Sequence, residues 1–229
     1  MRTLGLIGGT SWHSTVAYYK LINEGVGEHI GTRGNPELIL YSINIEIMRE
    51  QDRDRINAKY LEVSNTLMEA GASAILICAN TPHMVYDYVQ PKIEVPILHI
   101  ADATGMEATR LGLKKLGLLG NRPTMTGDFI PGVLKKKYGI EVIIPEDHAV
   151  SQSHRYVSVE LTRGKFTDAA RNFYEEQISR LRERGAEGII LGCTELPLLI
   201  RAEDVEVPTL ATTDLHARMA VDFIMGGDF

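Results

Sequence analysis

The sequence is poor in aromatic residues, in cysteine and in long uncharged segments, and each shortage excludes a class of protein. Aromatic residues make up 7% of the chain, with a single tryptophan, which argues against a platform that stacks the bases of single-stranded nucleic acid. Two cysteines cannot build a disulfide framework. Neither a Cys-x-x-Cys nor a His-Glu-x-x-His pattern is present, so no metal site is expected. The uncharged stretches are too short for a membrane span.

Basic residues are outnumbered by acidic ones. The chain has 24 lysines and arginines against 30 aspartates and glutamates, and a net charge of −6 argues against a polyanionic partner. The densest basic run, Lys135-Lys136-Lys137, is typical of a solvated helix face. The apolar stretch that follows Met1-Arg2-Thr3 is too short and too rich in glycine for the core of a signal peptide. We therefore expect a cytoplasmic protein that binds neither nucleic acid nor membranes.

The sequence does contain an alternation of short apolar runs and longer amphipathic stretches. This alternation, with nearly continuous apolar strands, is typical of an α/β fold whose parallel sheet is covered on both faces. Asp168 and Asp214 indicate helix N-termini, where a carboxylate can accept hydrogen bonds from backbone N–H groups. The expected strands are Thr3–Ile7, Leu38–Ile43, Ala74–Cys78, Ile97–Ile100, Leu116–Leu119, Glu141–Ile144, Gly188–Leu191 and Thr209–Leu210. The expected helices are Thr15–Glu28, Ala58–Glu69, Asp102–Leu111, Asp168–Glu183 and Asp214–Ile224.

Three segments of the first half recur in the second half, in the same order and at nearly the same spacing. The matched pairs are Leu4-Gly5-Leu6-Ile7-Gly8 with Leu116-Gly117-Leu118-Leu119-Gly120, Gly71-Ala72 with Gly185-Ala186, and Glu94-Val95-Pro96 with Glu206-Val207-Pro208. Any one match could be generic α/β sequence, but together they predict two similar parallel-sheet domains related by pseudo-two-fold symmetry. The first lobe is expected to comprise residues 1–98 plus 211–229, and the second residues 99–210. Because ligands bind beyond the carboxyl ends of parallel strands, the active site is expected in the cleft between the lobes.

A cysteine and an alanine occupy equivalent ends of the repeated strands. The repeat aligns Cys78-Ala79-Asn80-Thr81 with Gly192-Cys193-Thr194-Glu195, so Cys193 is equivalent to Ala79 and not to Cys78. Cys193 follows a glycine at a strand end, where backbone N–H groups favour a thiolate. We interpret Cys193 as a functional thiol, with a buried core cysteine as the alternative, and Cys78 as a core residue.

Amide and hydroxyl groups at the same strand ends are suited to hold a carboxylate by neutral donors. Asn80, Thr81 and Thr194 supply these groups, and helix capping is the alternative role for them. His83 could orient its loop, cap its helix or transfer protons. Further hydroxyl groups lie in the glycine-rich loop after the first strand and in its counterpart in the second half. These hydroxyls could bind an anion, or they could belong to ordinary turns. The candidates in these two loops are Thr10, Ser11 and Thr124.

In combination, these residues resemble the cofactor-independent aspartate/glutamate racemases over almost the whole chain. The motifs that carry the resemblance include Gly8-Gly9-Thr10-Ser11-Trp12, Asn80-Thr81 with His83, Ile100-Ala101-Asp102-Ala103-Thr104, and Gly192-Cys193-Thr194-Glu195. The resemblance implies two α/β domains with the active site between them, a homodimer, and an isomerase that uses neither pyridoxal phosphate nor a metal. In that family one cysteine takes the α-proton and a second cysteine returns a proton on the opposite face.

The chain departs from the family at the first of these cysteines. The resemblance maps the second cysteine onto Cys193, but the first position holds Ala79, so symmetric two-thiol racemisation cannot proceed. The leading hypothesis is a racemase or epimerase of aspartate, glutamate or a related polar amino acid, with Cys193 as acid/base. The opposite-face proton would come from water, Thr81 or another loop residue. Asn80, Thr81 and Thr194 would bind the α-carboxylate, with Thr10, Ser11 and Thr124 nearby.

Two alternatives remain at the level of sequence. One is a single-cysteine decarboxylase or isomerase that resembles the arylmalonate decarboxylases, and the other is a catalytically impaired carboxylate-binding homologue. The sequence does not choose the side-chain pocket either. Arg49, Arg53, Arg55 or Arg163 could bind a distal carboxylate, although most of them are expected to be solvated charges.

Overall fold

The chain is divided into two α/β units. The computed structural model describes residues 1–31 and 33–227, so Thr32 and the last two residues of the expected first lobe lie outside the described part. One unit comprises Met1–His99 and the chain from His216 onward, and the other comprises Ile100–Leu215. Leu215, the last residue of the second unit, packs against the apolar core of that unit.

Each unit is built on a four-stranded parallel sheet. The strands are β1 Leu4–Gly8, β2 Leu38–Ser42, β3 Ala74–Ile77, β4 Ile97–Leu98, β5 Lys115–Gly120, β6 Glu141–Ile143, β7 Gly188–Gly192 and β8 Thr209–Ala211. The order is β2-β1-β3-β4 in the first sheet and β6-β5-β7-β8 in the second, so the two sheets have the same topology. The predicted α/β class with two similar parallel sheets is confirmed, and every expected strand overlaps an observed one.

The helices cover more of the chain than the sequence predicts. The α-helices are α1 Trp12–Ile30, α2 Glu46–Arg49, α3 Arg53–Glu69, α4 Tyr86–Val89, α5 Ile100–Arg110, α6 Arg122–Thr126, α7 Pro131–Tyr138, α8 Asp147–Arg155, α9 Asp168–Glu183, α10 Leu196–Leu199 and α11 Thr212–Ile224. Shorter 3-10 segments are Thr81–Val85, Gln90–Lys92, Leu161–Arg163 and Ala202–Asp204, and Tyr156–Glu160 is a π-helical segment. The five expected helices are all present, and the others were not predicted. Over the described residues, none of the helices combines the length and the apolar character needed to cross a membrane.

Helix α3 begins at Arg53, earlier than the predicted start at Ala58. The carboxylate of Asp52 accepts hydrogen bonds from the backbone N–H groups of Asp54 and Arg55 and caps the helix. This cap starts a helix in a charged segment whose lack of apolar periodicity predicts none. The N-terminus of α9 also differs in detail, since the Thr167 side chain caps it and Asp168 lies in the first turn.

The second sheet is covered on both faces, as expected from its apolar strands. Ile189 and Leu191 of β7 pack with α9 residues on one face. Ile190, which points to the other face, packs with Leu116 and Leu118 of β5 and with α7. The alternation along β7 therefore anchors the strand firmly on both sides and fixes where its carboxyl end projects.

The strand order identifies the edge of each sheet where a ligand can be held. The chain leaves β1 toward β2 on one side and later leaves β3 toward β4 on the other side. Loops that diverge in this way open a crevice at the carboxyl ends of the two central strands. In the second unit, the equivalent strands are β5 and β7. The candidate site residues follow these four strands.

Candidate functional site

A close backbone approach shapes the loop after β1. Gly9 adopts a φ of +92°, and a side chain there would overlap the backbone oxygen of Ile43. The loop is also tied to helix α1, because the Thr15 hydroxyl accepts from the Gly9 N–H (3.0 Å) and donates to the Ser11 carbonyl (3.0 Å). Thr15 is thus occupied by the turn itself, which agrees with the alternative that some of these hydroxyls are structural.

Thr10 and Ser11 each have a partner within the first unit. The Thr10 hydroxyl is 2.9 Å from the hydroxyl of the buried Tyr60 on α3. Ser11 is the N-cap of α1, and its hydroxyl accepts from the Ser14 N–H at 3.3 Å. The first turn of α1 contains no acidic residue, so the positive end of the helix dipole is not neutralised by a neighbouring carboxylate.

The loop after β3 lies beside the loop after β1. The Ser14 hydroxyl donates to the Cys78 carbonyl at 2.7 Å and joins the two loops. Cys78 is 1% exposed, and desolvation raises the pKa of its thiol, so its interpretation as a core residue is confirmed. Register supports the alignment of the repeats: Ile7 pairs with Ile77 in the first sheet, and the equivalent Leu119 pairs with Leu191 in the second. Two positions beyond Ile77 and Leu191, the chain reaches Ala79 and Cys193, which therefore lie at equivalent points.

His83 orients the backbone of the Ala79-Asn80 segment. Its ring is fully buried, and Nδ1 donates to the carbonyl oxygens of Ala79 (2.9 Å) and Asn80 (3.2 Å). Of the three roles left open by the sequence, loop orientation is the one that these contacts support. Asn80 is 8% exposed, and its side-chain oxygen has no hydrogen-bond partner within the described structure. A buried oxygen without a hydrogen-bond partner can accept a hydrogen bond from a ligand.

A buried histidine cluster underlies this loop and was not anticipated from the sequence. The ring of His83 is 4.8 Å from that of His99 and 5.3 Å from that of His216. His216 Nε2 donates to the Leu98 carbonyl at 2.7 Å, and its Nδ1 is 2.9 Å from the Tyr18 hydroxyl. Burial, followed by the neighbouring His83, lowers the pKa of His216 to about 3. The cluster therefore contains a neutral histidine at physiological pH.

In the second unit, Cys193 follows β7 at a point where two backbones nearly touch. A side chain on Gly192 would lie 2.9 Å from the Leu119 carbonyl oxygen and 3.1 Å from the Thr124 side chain. This requirement for glycine agrees with the close approach inferred from the sequence. Cys193 is partly exposed as a residue, unlike the buried Cys78.

The side chain of Glu195 is the principal polar partner of Cys193. The thiol donates to Glu195 Oε2 at 2.8 Å, and the Thr194 hydroxyl donates to the same oxygen at 2.9 Å. Desolvation and then the Glu195 charge raise the pKa of the Cys193 thiol well above its ordinary value. The backbone N–H groups of Thr194 and Glu195 act in the opposite direction, as the sequence predicts, but they are outweighed. Burial and the Glu195 charge therefore disfavour the thiolate that the sequence predicts. The contact with Glu195 was not anticipated from the sequence.

Thr124 is fully buried beside the carboxyl end of β7. Its backbone N–H is held by the Asn121 side chain at 2.9 Å, and Asn121 caps α6. Thr213, which the sequence analysis did not single out, starts a helix at the end of the neighbouring strand β8. It is 5% exposed, and its hydroxyl has no hydrogen-bond partner within residues 1–31 and 33–227. Two buried hydroxyl-bearing side chains thus lie in the helices that follow β5 and β8, the two strands on either side of β7.

The arginine candidates are less closely associated with the strand ends. Arg49 pairs with Glu46 at 3.4 Å and Arg55 pairs with Glu50, both at the surface, which fits the solvated charges expected for most of them. Arg53 differs, because its guanidinium donates to the Met84 carbonyl in the segment that follows Thr81. Arg163 is exposed at the end of a 3-10 segment.

The strand ends of the two units offer different chemistry. In the first unit, the structure brings the loops of Thr10, Ser11 and Asn80 together and provides hydrogen-bonding groups without a thiol. In the second unit, it brings together Cys193 and Thr194 and provides a group that can donate or accept a proton. Within the described residues, no three His, Cys, Asp or Glu side chains are grouped so as to hold a metal ion.

Known proteins resemble this chain along most of its length. The model of the Asp/Glu/Hydantoin racemase family matches residues 7–220. The broad specificity amino-acid racemase RacX of Bacillus subtilis is 24% identical over 225 residues, which are 95% of this chain and 96% of that protein.

Two crystal structures resemble the chain along nearly its full length. A candidate Asp/Glu racemase from Yersinia pestis is 40% identical, with a TM-score of 0.93 and coverage of 98% of this chain and 100% of that one. An aspartate racemase homologue from Pyrococcus horikoshii is 35% identical, with a TM-score of 0.87 and the same coverage. The family match and these relatives point to amino-acid racemisation. This chain therefore belongs to the Asp/Glu/hydantoin racemase family.

Proposed function

We propose that this protein is a cofactor-independent racemase or epimerase of aspartate, glutamate or a related polar amino acid, with Cys193 as an acid/base. The observation that carries this proposal is the partly exposed residue Cys193 at the end of a central strand, with its thiol hydrogen-bonded to Glu195. We propose that side chains of both units act on the same substrate molecule. The α-carbon would exchange its proton with the sulfur, and the electron pair left behind would be delocalised into the α-carboxylate.

The first unit would bind the two charged groups on the α-carbon. The side-chain oxygen of Asn80, which has no hydrogen-bond partner in the described structure, can accept a hydrogen bond from the α-ammonium group. The same oxygen would repel the α-carboxylate, which also has only acceptor atoms. The start of α1, capped by Ser11 and without acidic residues in its first turn, favours an anion such as the α-carboxylate. Thr10 and Thr81, together with Thr124 and Thr194 of the second unit, would complete the binding with hydroxyl groups. This assignment refines the all-donor site predicted from the sequence.

Ala79 restricts how the second proton can be handled. A methyl group can neither give nor take a proton, so the opposite face of the α-carbon would depend on water or on the Thr81 hydroxyl. Both are much weaker acids than a thiol, whose ordinary pKa is about 8.5. We therefore expect the proton transfer on the face opposite Cys193 to limit the rate of inversion.

Incubation with single enantiomers in heavy water tests the proposal. Aspartate, glutamate and a panel of polar amino acids are followed by mass spectrometry for α-deuterium and by chiral chromatography for inversion. At least one substrate should incorporate deuterium, and Cys193→Ser should lower that rate by at least about a hundredfold. Cys78→Ser changes the buried thiol and should retain the activity if it folds. Neither deuterium uptake nor inversion across the panel would refute the function.

The homodimer, the cytoplasmic location and the independence from pyridoxal phosphate also remain proposals. The dimer and the absence of a cofactor rest on the family resemblance, and the location rests on the composition of the sequence. Light scattering after size-exclusion chromatography decides the oligomeric state. Activity that survives dialysis against a chelator and treatment with a carbonyl reagent would support the mechanism without metal or pyridoxal phosphate.

A further inference from the structure

We propose that Glu195 is a positioning residue that holds Cys193 as a thiol and aims its proton, so that Cys193 enters the reaction as the proton donor. The role rests on the proposed function, because it assigns a step to the same sulfur. The contact between the two side chains, however, can be tested without any substrate. The argument depends on the number of donors that reach one carboxylate oxygen and on the burial of that carboxylate.

One oxygen of Glu195 receives two hydrogen bonds. Oε2 accepts from the Cys193 thiol at 2.8 Å and from the Thr194 hydroxyl at 2.9 Å. An ionised carboxylate has only acceptor sites, so the proton between sulfur and oxygen belongs to the sulfur. The second donor fixes the oxygen in place and thereby fixes the direction of the S–H bond. Thr194 and Glu195 together define the orientation of the thiol.

The burial of Glu195 makes this arrangement costly to change. Glu195 is 8% exposed, and a buried carboxylate needs its hydrogen-bond donors because water does not replace them. Loss of the thiol proton would remove one donor and leave a negative sulfur beside a negative oxygen. Both effects favour the protonated thiol, and the pKa of Cys193 is raised by desolvation and by the Glu195 charge.

The other elements packed around Cys193 supply no group that cancels this effect. Tyr174 of α9 is the titratable side chain in the described structure that interacts electrostatically with Cys193 from a packed helix. Desolvation raises the pKa of Tyr174, so its hydroxyl is neutral and hydrogen-bonds with Ser153. The backbone N–H groups of the turn are the remaining favourable influence on a thiolate, and they are outweighed.

This role has a defined consequence for the proton inventory. For Cys193 to donate, the α-proton must first pass on the opposite face to water or to the Thr81 hydroxyl, which leaves the electron pair of the broken C–H bond on the α-carbon. The S–H bond then breaks, a new C–H bond forms with that pair, and a thiolate remains beside the Glu195 carboxylate. The repulsion makes this thiolate a stronger base than an isolated one. It therefore removes a weakly acidic α-proton more readily in the reverse step, which restores the thiol. The Glu195 carboxylate thus stabilises the Cys193 thiol as the proton donor and makes the Cys193 thiolate a stronger base.

Alkylation of Cys193 as a function of pH tests the proposal on the full-length protein. Iodoacetamide reacts with the thiolate, and mass spectrometry of the Cys193 peptide separates its reaction from that of Cys78. Glu195→Gln keeps the size of the side chain and removes its charge. The midpoint of the alkylation profile should fall by about one pH unit or more, which gives about tenfold faster alkylation below the midpoint. Glu195→Asp retains a carboxylate and should stay closer to the wild-type midpoint than Glu195→Gln.

Controls separate the local charge from looser packing and from net charge. A purely structural role for Glu195 would raise the alkylation rate at all pH values without moving the midpoint, and this result would overturn the proposal. Glu183→Gln removes the same charge from an exposed position of the same unit and should leave the midpoint unchanged. An equal shift in this variant would also overturn it. Circular dichroism establishes that each variant is folded.

A turnover measurement then connects the positioning role with the reaction. If the wild-type protein acts on an amino acid, the alkaline limb of kcat/KM should move to lower pH in Glu195→Gln, by the same amount as the alkylation midpoint. A limb that stays in place would overturn the role of Cys193 as the entering donor. If no amino acid is turned over, the proposed function fails, and the alkylation profile alone still decides whether Glu195 holds the thiol.

Discussion

The buried His216 is expected to make the stability of the protein depend on pH, and the variant His216→Gln should remove this dependence. In the native state, the His216 ring is fully buried between the Leu98 carbonyl and the Tyr18 hydroxyl, beside the ring of His83. Burial and the neighbouring His83 lower its pKa to about 3. In the unfolded chain, the same side chain has an ordinary pKa of about 6.5. Glutamine has a similar length and an amide, but no charge in this range.

The sign and size of the effect follow from proton linkage. Above pH 6.5 His216 is neutral in both states and contributes no pH dependence. Below that value the unfolded chain binds a proton that the folded protein excludes, so the free energy of unfolding decreases as the pH falls. The slope approaches about 1.36 kcal/mol per pH unit, which gives about 2 kcal/mol between pH 6.5 and pH 5. The full difference down to a pKa of about 3 corresponds to roughly 5 kcal/mol.

Urea unfolding of the wild type and of His216→Gln between pH 7 and pH 5 measures this effect. The variant is expected to be less stable at pH 7, because it loses the bond with Tyr18, but its disadvantage should shrink by about 2 kcal/mol at pH 5. His29→Gln, at an exposed position in the last turn of α1, should leave the pH dependence close to that of the wild type. Parallel stability profiles for the wild type and His216→Gln would refute the reasoning, since they would mean that His216 protonates equally in both states.

Three further substitutions test the loops around the site. Ala79→Cys is expected to increase the rate of inversion relative to α-deuterium exchange, whereas Ala79→Ser, which adds a side chain without a thiol, should not. Equal effects of the two variants in chiral chromatography would contradict the idea that position 79 lacks an acid/base. Thr10→Val should lower the free energy of unfolding by about 1–3 kcal/mol in urea, because the buried Tyr60 hydroxyl loses its partner, whereas Thr126→Val at an exposed position should cost less. Gly31→Ala should lower the free energy of unfolding by about 1–2 kcal/mol because the φ of Gly31 is positive, and Gly9→Ala should lower it by more because Gly9 also approaches another backbone. Similar losses for the two variants in thermal unfolding would exclude this overlap.

The fold was predictable because its signals are local and repeated. Buried parallel strands are short apolar runs, and the recurrence of Leu4–Gly8 as Leu116–Gly120 indicates the same strand in two sheets. The start of α3 was not predictable from periodicity, because it depends on one capping side chain, Asp52, within a run of charges. Helix boundaries that depend on a single hydrogen bond are invisible to patterns that are averaged over a turn.

The candidate site was predictable as a set of residues, but not in its electrostatics. Glu195 belongs to the motif around Cys193, yet its position two residues along the chain gives no sign that the turn brings its carboxylate to the sulfur. The backbone N–H groups alone predict a thiolate, and desolvation together with the Glu195 charge reverses that expectation. The histidine cluster is harder still, because His83, His99 and His216 come from distant segments, and only the folded unit brings their rings together.

The duplicated topology explains where the functional groups lie, but it does not make the two units chemically equivalent. Each sheet directs one central strand end into a loop, and the equivalent positions hold Ala79 in one unit and Cys193 in the other. In the first unit, His83 still holds the backbone of this loop, so the geometry is maintained although the side chain cannot exchange a proton. In the second unit, the thiol has acquired a carboxylate partner in Glu195. In the proposed function, the first unit would bind the substrate and the second would transfer the proton, and the rate of inversion would depend on the acid/base that Ala79 does not supply.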